Sequence, residues 1–296
     1  MTPTSLLMSN PWRSKPKGLP VHAKTRSLPH RRGGSVNVVW ILSLCIIFQV
    51  CSLLLIAQQS QPERATGDTQ ALSTVTEALT VLSGTSSWNG IHAAHLTGTI
   101  STPSKNGLVV SPIEWKDIWQ QRKIWYLHTI GTGNSKRDLI QNAGSGRMSR
   151  RADKSVMPVG RGAQLPPVEL PGATLSIAMQ DSHCDFRSLP LPKDNQSEQV
   201  ELHCHFPDLN EEQQVWQFSR STHLPSSVSI ILTDLRRAGA RTVETVQFAH
   251  YRTVNGVAVP DICNLSRGGM TSTVTLQNVE FPDPGQIPMS TFEVSK

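Results

Sequence analysis

The segment HYRTVNGVAVPDIC, residues 250–263, decides the fold predicted for this chain. At its centre, Asn255 and Gly256 lie between flanks in which apolar and polar residues alternate, which is the strongest short-range signal for a two-residue β-hairpin turn. The valines on both sides of the turn are then placed on a pleated surface. Pro260 cannot donate to a β ladder, so we expect it at a sheet edge or a bulge.

Alternating apolar residues predict more strands on both sides of this hairpin. The predicted strands are residues 92–100, 173–179, 200–206, 228–232, 242–248, 253–263 and 271–281. One helix precedes them, because Asp68 can cap its start, apolar residues recur at helical spacing from Leu72 to Leu82, and Gly84 can end it. The sequence therefore predicts a mainly β (α+β) domain with an N-terminal helix.

Two stretches interrupt this pattern. Residues 112–130 hold three tryptophans and a tyrosine, and they fit either a strand pair or a short helix followed by a strand. Residues 144–171 are locally basic among Gly, Ser and Pro, which is typical of a solvated loop.

Three C-terminal segments resemble a known family. They are YR-VNGV-VP at 251–260, TVT---VEF at 273–281 and IP-S-FEV at 287–294. Together they resemble the closing hairpin of the LolA-like superfamily of outer-membrane lipoprotein-sorting and carrier proteins. In that family an N-terminal helix leads into a curved, incomplete antiparallel barrel whose concave side can hold acyl chains. The resemblance covers residues 66–296 and implies a curved antiparallel half-barrel.

The charge distribution indicates membrane topology rather than nucleic-acid binding. Seven of the 28 basic residues precede Val36, and the first acid is Glu63, so the rest of the chain has one more acid than base. Residues 36–57 then form 22 uncharged, mostly apolar positions, long enough to cross a bilayer as a helix. Bases before the span and acids after it place the N-terminus in the cytoplasm. A cleaved signal peptide is the alternative.

This pattern predicts four parts of the chain. They are a basic cytoplasmic tail (1–35), a transmembrane signal anchor (36–57), a linker (58–67) and a β domain (68–296). The chain is then a single-pass membrane protein whose main domain is periplasmic or extracellular.

Two cysteines lie next to histidines in the sequence. Cys184 follows His183, and Cys204 lies between His203 and His205. Because their midpoint falls in the turn-like residues 190–197, a hairpin would place the two cysteines opposite each other. A disulfide fits an extracytoplasmic domain. A zinc or copper site and unpaired thiols are the alternatives, although in a strand the histidines would point away from the cysteines. Cys263 is then left as a buried free thiol.

Two common enzyme motifs are absent from the sequence. The sequence has no Gly-x-Ser-x-Gly elbow, and residues 131–137 lack the spacing of a phosphate-binding loop. The absence of these motifs predicts no catalysis and no cofactor. The charge distribution described above predicts no nucleic-acid partner.

Two functions remain compatible with the sequence. The first is a membrane-anchored domain that binds an apolar or amphipathic ligand, such as a lipid or a lipoprotein acyl chain, in a half-barrel hollow. The second is an anchored structural or protein-interaction module without a ligand. A metal-dependent enzyme would rest on the His/Cys cluster alone. Packed core is the simpler explanation for every residue of the candidate lining. The candidate lining of the hollow is Leu96, Ile100, Trp115, Trp119, Trp125, Ile230, Leu232, Val246 and Phe248.

Overall fold

The structure, a computed structural model, describes residues 65–84, 88–120, 123–143, 147–160, 164–190, 196–206, 211–234 and 240–293. The predicted tail (1–35), the predicted membrane span (36–57) and most of the predicted linker lie outside these residues. Among the described helices, none has the length and apolar character needed to span a bilayer. Pro62–Lys296 forms one compact unit that contains all the described strands and both clusters of the hydrophobic core.

The domain is mainly β and consists of one large, curved, open sheet with few helices. The helices are α1 (Thr69–Ser83) and α2 (Pro171–Met179). The strands are β1 (Thr66–Gly67), β2 (Ala93–Ser104), β3 (Gly107–Gln120), β4 (Lys123–Ile130), β5 (Arg137–Gln141), β6 (Arg147–Arg151), β7 (Val156–Gly160), β8 (Cys184–Ser188), β9 (Ser197–His205), β10 (Glu211–Ser219), β11 (Pro225–Asp234), β12 (Ala240–Val254), β13 (Val257–Arg267) and β14 (Met270–Glu280).

The sheet order is β1-β8-β9-β10-β11-β12-β13-β14-β2-β3-β4-β5-β6-β7. Most neighbours are consecutive in sequence and pair as antiparallel hairpins, whereas β1 pairs with β8 in parallel. Strand β2 joins β14, so the C-terminal strands close onto the first long strand of the domain. The ends of the sheet, β1 and β7, do not meet in this order, and the sheet is therefore open.

The predicted β12–β13 hairpin is confirmed. Val254 pairs with Val257, and Asn255 and Gly256 take positive φ angles of 49° and 80°. A two-residue turn of this kind requires positive φ at both positions, which Asn and Gly accept at low cost. Pro260 pairs with Tyr251 on one side, while the pairing of β13 with β14 begins at Ile262. Its missing N–H therefore falls at a local edge, as expected.

Helix α1 has the predicted start and end. The Asp68 carboxylate accepts a hydrogen bond from the backbone N–H of Ala71 at 2.8 Å and another from Ser188 at 2.6 Å. These backbone donors hold the pKa of Asp68 below its ordinary value. Gly84 follows the helix with a φ of 54°, a conformation that other residues avoid.

Two predictions for the middle of the chain were wrong, and one open choice is settled. Residues 173–179 form helix α2 rather than a strand, because Pro171 begins a short helix that is buried on nearly all sides. Residues 144–171 are not only loop, since they contain the short strands β6 and β7. Residues 112–130 form a strand pair, β3 and β4.

The two helices cover one side of the sheet, which we call the helix-covered face. Helix α1 buries Ala71, Val75, Ala78 and Leu82 against it. Helix α2 approaches so closely that a Cβ atom on Gly172 would lie 2.1 Å from the Trp88 indole. The opposite face has a smaller cluster, in which Phe292 of the C-terminal segment packs on the sheet.

The Cys184–Cys204 disulfide is present. Its cysteines are direct cross-strand partners on β8 and β9, and both are fully buried. The ring centroids of His203 and His205 lie 4.0 Å apart. No group of three or more candidate metal ligands occurs in the part of the chain that the structure describes. Cys263 is a buried free thiol, as predicted.

Candidate functional site

A row of apolar side chains crosses the helix-covered face. It consists of Leu265, Val246, Val228, Trp216 and Val200, each the direct cross-strand partner of the next on the adjacent strands β13 to β9. Four of the five are at most 1% exposed, and Leu265 is half-buried. We call this set the apolar row. It gives the face a continuous hydrocarbon surface five strands wide.

Aromatic side chains pack around Trp216 at the centre of the apolar row. The Trp216 ring is stacked with Phe248 at a centroid distance of 6.1 Å and with Phe218 at 6.4 Å. The indole N–H of Trp216 donates to the amide oxygen of Gln214 at 2.8 Å, so burial leaves this donor satisfied. The aromatic group is therefore both well packed and fixed in orientation.

A second part of the site is polar and lies where β3 meets β4. His128 Nε2 lies 2.8 Å from Asp117 Oδ1, and the imidazole is stacked on Trp115 with 4.7 Å between ring centroids. The second carboxylate oxygen of Asp117 and the indole N–H groups of Trp115 and Trp119 are buried without a hydrogen-bond partner among the described residues. Buried polar atoms are normally paired, so such atoms on one face of one strand are unusual.

The segment of residues 164–170, which we call the crossing segment, covers this polar region. Leu165, Val168 and Leu170 bury their side chains in the main core cluster. The hydroxyl of Thr174 in α2 donates to the carbonyl oxygens of Pro167 at 3.1 Å and Pro166 at 3.2 Å, and so fixes the segment to the helix.

Glu169, on the crossing segment, carries a carboxyl group into these surroundings. Burial raises the pKa of Glu169, and the charges of Glu244 and Asp117 raise it further, while its own backbone N–H and His128 oppose the shift. Burial alone would lower the pKa of His128, but the charge and hydrogen bond of Asp117, with a contribution from Glu169, raise it overall. We call Asp117, His128 and Glu169 the polar cluster.

Glu212 is a second acid whose neutral form is favoured. Burial raises its pKa, while a hydrogen bond of 2.8 Å from the Gln214 amide and the charge of Arg147 oppose the shift. Glu212 and Gln214 lie on β10 on the same side as Trp216. The helix-covered face thus combines the apolar row with acids that hold protons unusually tightly.

These shifts predict an unusual dependence of stability on pH. Glu169, Glu212 and His128 all bind protons more tightly in the folded than in the unfolded state, so their stabilisation is complete below their ordinary pKa values, 4.5 for the acids and 6.5 for histidine. It is lost as pH rises through the raised values. Denaturant unfolding should therefore show a free energy that falls as pH rises from the ordinary pKa of the acids, 4.5, toward neutral.

A Glu169→Gln variant tests the same argument. It should raise the free energy of unfolding at neutral pH, because an amide avoids the cost of burying a carboxylate, and it should reduce the slope with pH. Asp153→Asn is the control, because hydrogen bonds from Ser155 hold the pKa of this exposed carboxyl below its ordinary value, so the slope between mildly acidic and neutral pH should stay unchanged. A wild-type stability that increases steadily from mildly acidic to neutral pH would contradict this account of the site.

Most of the predicted lining residues do meet. Leu96, Trp115, Trp119, Val246 and Phe248 belong to the main core cluster. Ile100 and Ile230 are half-buried against the same cluster, and the side chain of Leu232 lies outside the described part of the chain.

Trp125 is placed apart from the other lining residues. It belongs to the smaller cluster with Ile118 and Phe292, and its indole N–H donates to Asn142 at 3.0 Å. Side chains alternate along β4, and Ile124 and Tyr126 occupy the helix-covered face, so Trp125 points the other way.

Sequence reasoning missed the polar cluster entirely. A usable signal existed in β3, where Asp117 interrupts an alternating series of large apolar residues that includes Trp115 and Trp119. His128 and Glu169 carried no such signal, because only the register of β3 with β4 and the path of the crossing segment bring them together.

Comparison with solved structures gives the following similarities. A putative outer membrane lipoprotein-sorting protein domain from Vibrio parahaemolyticus is 13% identical, with 73% of this chain and 93% of that chain covered and a TM-score of 0.47. The LolA superfamily protein NE2245 from Nitrosomonas europaea is 12% identical, with 75% and 97% covered and a TM-score of 0.48. This chain is similar in fold to LolA-like proteins. The similar structures thus include the superfamily that the C-terminal segments resemble.

A third similar structure is a DUF1329 family protein from Desulfovibrio piger. It is 10% identical, with 75% of this chain and 97% of that chain covered and a TM-score of 0.49. No family model matches the chain, and no curated protein matches it. Function therefore has to be argued from the site itself.

Proposed function

We propose that this chain is a membrane-anchored, extracytoplasmic protein that binds an amphipathic ligand, such as a lipid or a lipoprotein acyl chain, on its helix-covered face. The observation that carries the proposal is the joining of two surfaces on one face. The apolar row offers hydrocarbon contact across five strands, and the polar cluster with the unpaired atoms of β3 offers hydrogen-bonding groups on the same face, beyond the intervening strands β14 and β2. We propose no catalytic activity and no cofactor.

The apolar row accounts for the acyl part of the ligand. Burial of hydrocarbon against such a surface contributes roughly 25 cal/mol per Å² of apolar area removed from water, without any directional requirement. A chain laid across β9 to β13 would contact Val200, Trp216, Val228, Val246 and Leu265 in turn. A face of this kind suits acyl chains better than it suits compact polar ligands.

The polar region accounts for a head group. Asp117, Trp115 and Trp119 present one acceptor and two donors that the described protein leaves unpaired. A purely apolar ligand would leave them so, at a cost of about 1–3 kcal/mol for each group. A ligand with hydroxyl, amide or ester groups at one end would satisfy them, which is why we propose an amphipathic ligand.

The cover of this face is the part that has to move. Helices α1 and α2 and the crossing segment, rather than a second sheet, lie over the apolar row and the polar cluster. The surface has a depression of about 350 Å³ beside α1 and another of about 200 Å³ near His95. Both are lined by residues outside the apolar row and the polar cluster. We propose that the ligand takes the place of part of this cover, since packing of helices on a sheet can be exchanged without breaking strand pairing.

The anchor is proposed from sequence. Residues 36–57 have the length and apolar character of a membrane span, and the Cys184–Cys204 disulfide supports an oxidising compartment for the domain. The intact chain should stay on membranes through a high-salt wash. Recovery of a soluble form that begins near Gln58 would refute an uncleaved anchor.

A pair of adjacent substitutions tests binding on this face. Ile230 is half-buried against the core, whereas its neighbour Ile231 points to the other side of β11. Ile230→Trp should weaken binding of a fluorescent fatty acid about tenfold, which corresponds to about 1.4 kcal/mol, by filling the space that the acyl chain needs. Ile231→Trp is the matched control and should bind like the wild type.

Equal affinities of the two variants would place the ligand elsewhere. Absence of fatty-acid binding by the wild type would favour the other hypothesis, an anchored interaction module that uses the sheet as a scaffold.

A further inference from the structure

Four large apolar side chains are exposed together at one end of the sheet. Leu108, Val109 and Val110 at the start of β3 are 64%, 52% and 56% exposed, and Met270 at the start of β14 is 71% exposed. We call these four residues the apolar rim. They lie outside both core clusters, so the packing of the domain does not account for them.

Strand pairing brings the four residues together. Leu108 pairs with Pro103 on β2, and β2 is itself the neighbour of β14. The hydroxyls of Thr102 and Ser272 lie 2.9 Å apart and tie the two hairpins to each other near their ends. Leu108 and Met270 are therefore separated by two strand spacings, about 10 Å.

The rim is apolar on both faces of the sheet. Successive residues of a strand point to opposite sides, so Leu108 and Val110 lie on one face and Val109 on the other. All three are more than half exposed, which shows that this end of the sheet projects beyond the layers that cover its middle. A flat partner surface could cover only one of these faces, whereas a lipid interface can surround the projecting ends of both hairpins.

The two hairpin segments that carry the rim contain basic residues and no acids. The sequence contains no acid from Ser101 to Ser111 or from Leu265 to Leu276, but it contains Lys105 in one hairpin and Arg267 in the other. Lys105 is exposed, and Arg267 is 60% exposed, with its nearest carboxylate, Glu244, at 3.7 Å. Long basic side chains beside apolar ones can reach phosphate groups while the apolar groups enter the interface.

We propose that the apolar rim is a membrane-docking surface that inserts shallowly into an interface containing anionic lipids. The surface is separate from the helix-covered face, so it can exist whether or not that face binds a ligand. It would hold one end of the sheet against the bilayer, independently of any anchor.

The test uses Pro62–Lys296, the compact unit that contains both core clusters, so that residues 36–57 do not bind the vesicles themselves. The wild-type unit should float with vesicles of phosphatidylcholine and phosphatidylglycerol, and less so at high salt or with phosphatidylcholine alone. Leu108→Asp with Met270→Asp should reduce the bound fraction by at least about tenfold. Both positions are exposed, so the thermal unfolding temperature should hardly change.

Met289→Asp is the matched control, because Met289 is 48% exposed but lies in the C-terminal segment away from the rim. It should bind vesicles like the wild type. The proposal is overturned if the wild-type unit does not bind, if Met289→Asp loses as much binding as the rim variant, or if sedimentation shows that the rim residues support self-association instead. Fatty-acid binding by the rim variant should be normal, which separates this test from that of the proposed function.

Discussion

Replacing Trp216 with alanine is expected to lower the free energy of unfolding by about 3–5 kcal/mol, the largest effect of any single substitution considered. Trp216 is fully buried at the centre of the apolar row, between Val228 and Val200. Its removal leaves a cavity between Phe218 and Phe248 that the rigid strands on either side cannot close. It also leaves the Gln214 amide oxygen without its indole donor.

Urea unfolding followed by circular dichroism measures this effect. Trp216→Phe is the matched control, because it keeps an aromatic ring on the row and should cost about 1–2 kcal/mol less than alanine does. A loss of less than about 1 kcal/mol in Trp216→Ala would mean that the site collapses around the substitution, and it would contradict a well-packed aromatic centre.

Removing the disulfide should have the second largest effect. In the chain-entropy model a loop of the length between Cys184 and Cys204, 20 residues apart, contributes about 3 kcal/mol by restricting the unfolded chain. Cys184→Ala with Cys204→Ala should lose about this amount. The destabilised region should be this edge of the sheet, because only the two-residue strand β1 lies beyond β8 in the strand order.

Cys263→Ala provides the control for this prediction. Burial raises the pKa of the Cys263 thiol, so this cysteine stays protonated and unreactive. A reducing agent should therefore lower the stability of the wild type and of Cys263→Ala, but not that of the double variant. A wild-type stability that reducing agent leaves unchanged would argue against a bond between Cys184 and Cys204.

Local chemistry made several parts of the fold predictable. Asp68 and Gly84 define the ends of α1 through a side-chain cap and a positive φ, and Asn255 with Gly256 defines the β12–β13 turn in the same way. The disulfide followed from the spacing of its cysteines around a turn. In each case the residues that determine the structure are close in sequence, so a pattern records them.

Other parts depend on distant residues and could not be predicted. Helix α2 is enclosed on nearly all sides, so it lacks the apolar stripe by which helices are recognised, and its apolar residues also fit a buried strand. Strands β6 and β7 are short and lie at an edge, where basic residues and Pro158 resemble a loop.

The polar cluster belongs to this second group. Asp117 and His128 meet through strand register, and Glu169 reaches them across many residues of intervening chain. None of the three belongs to a local motif. Five of the nine predicted lining residues were nevertheless found in the main core cluster, because alternation identifies the buried side of a strand even when it does not identify what covers it.

Lipid extraction of the purified protein followed by mass spectrometry tests the central claim most directly. If the helix-covered face binds amphipathic ligands, acyl species should copurify with Pro62–Lys296 in near-stoichiometric amounts. They should be depleted in Ile230→Trp but retained in Ile231→Trp. A wild-type unit that is folded and free of lipid, and that takes up none when it is incubated with fatty acids or phospholipids, would contradict the account.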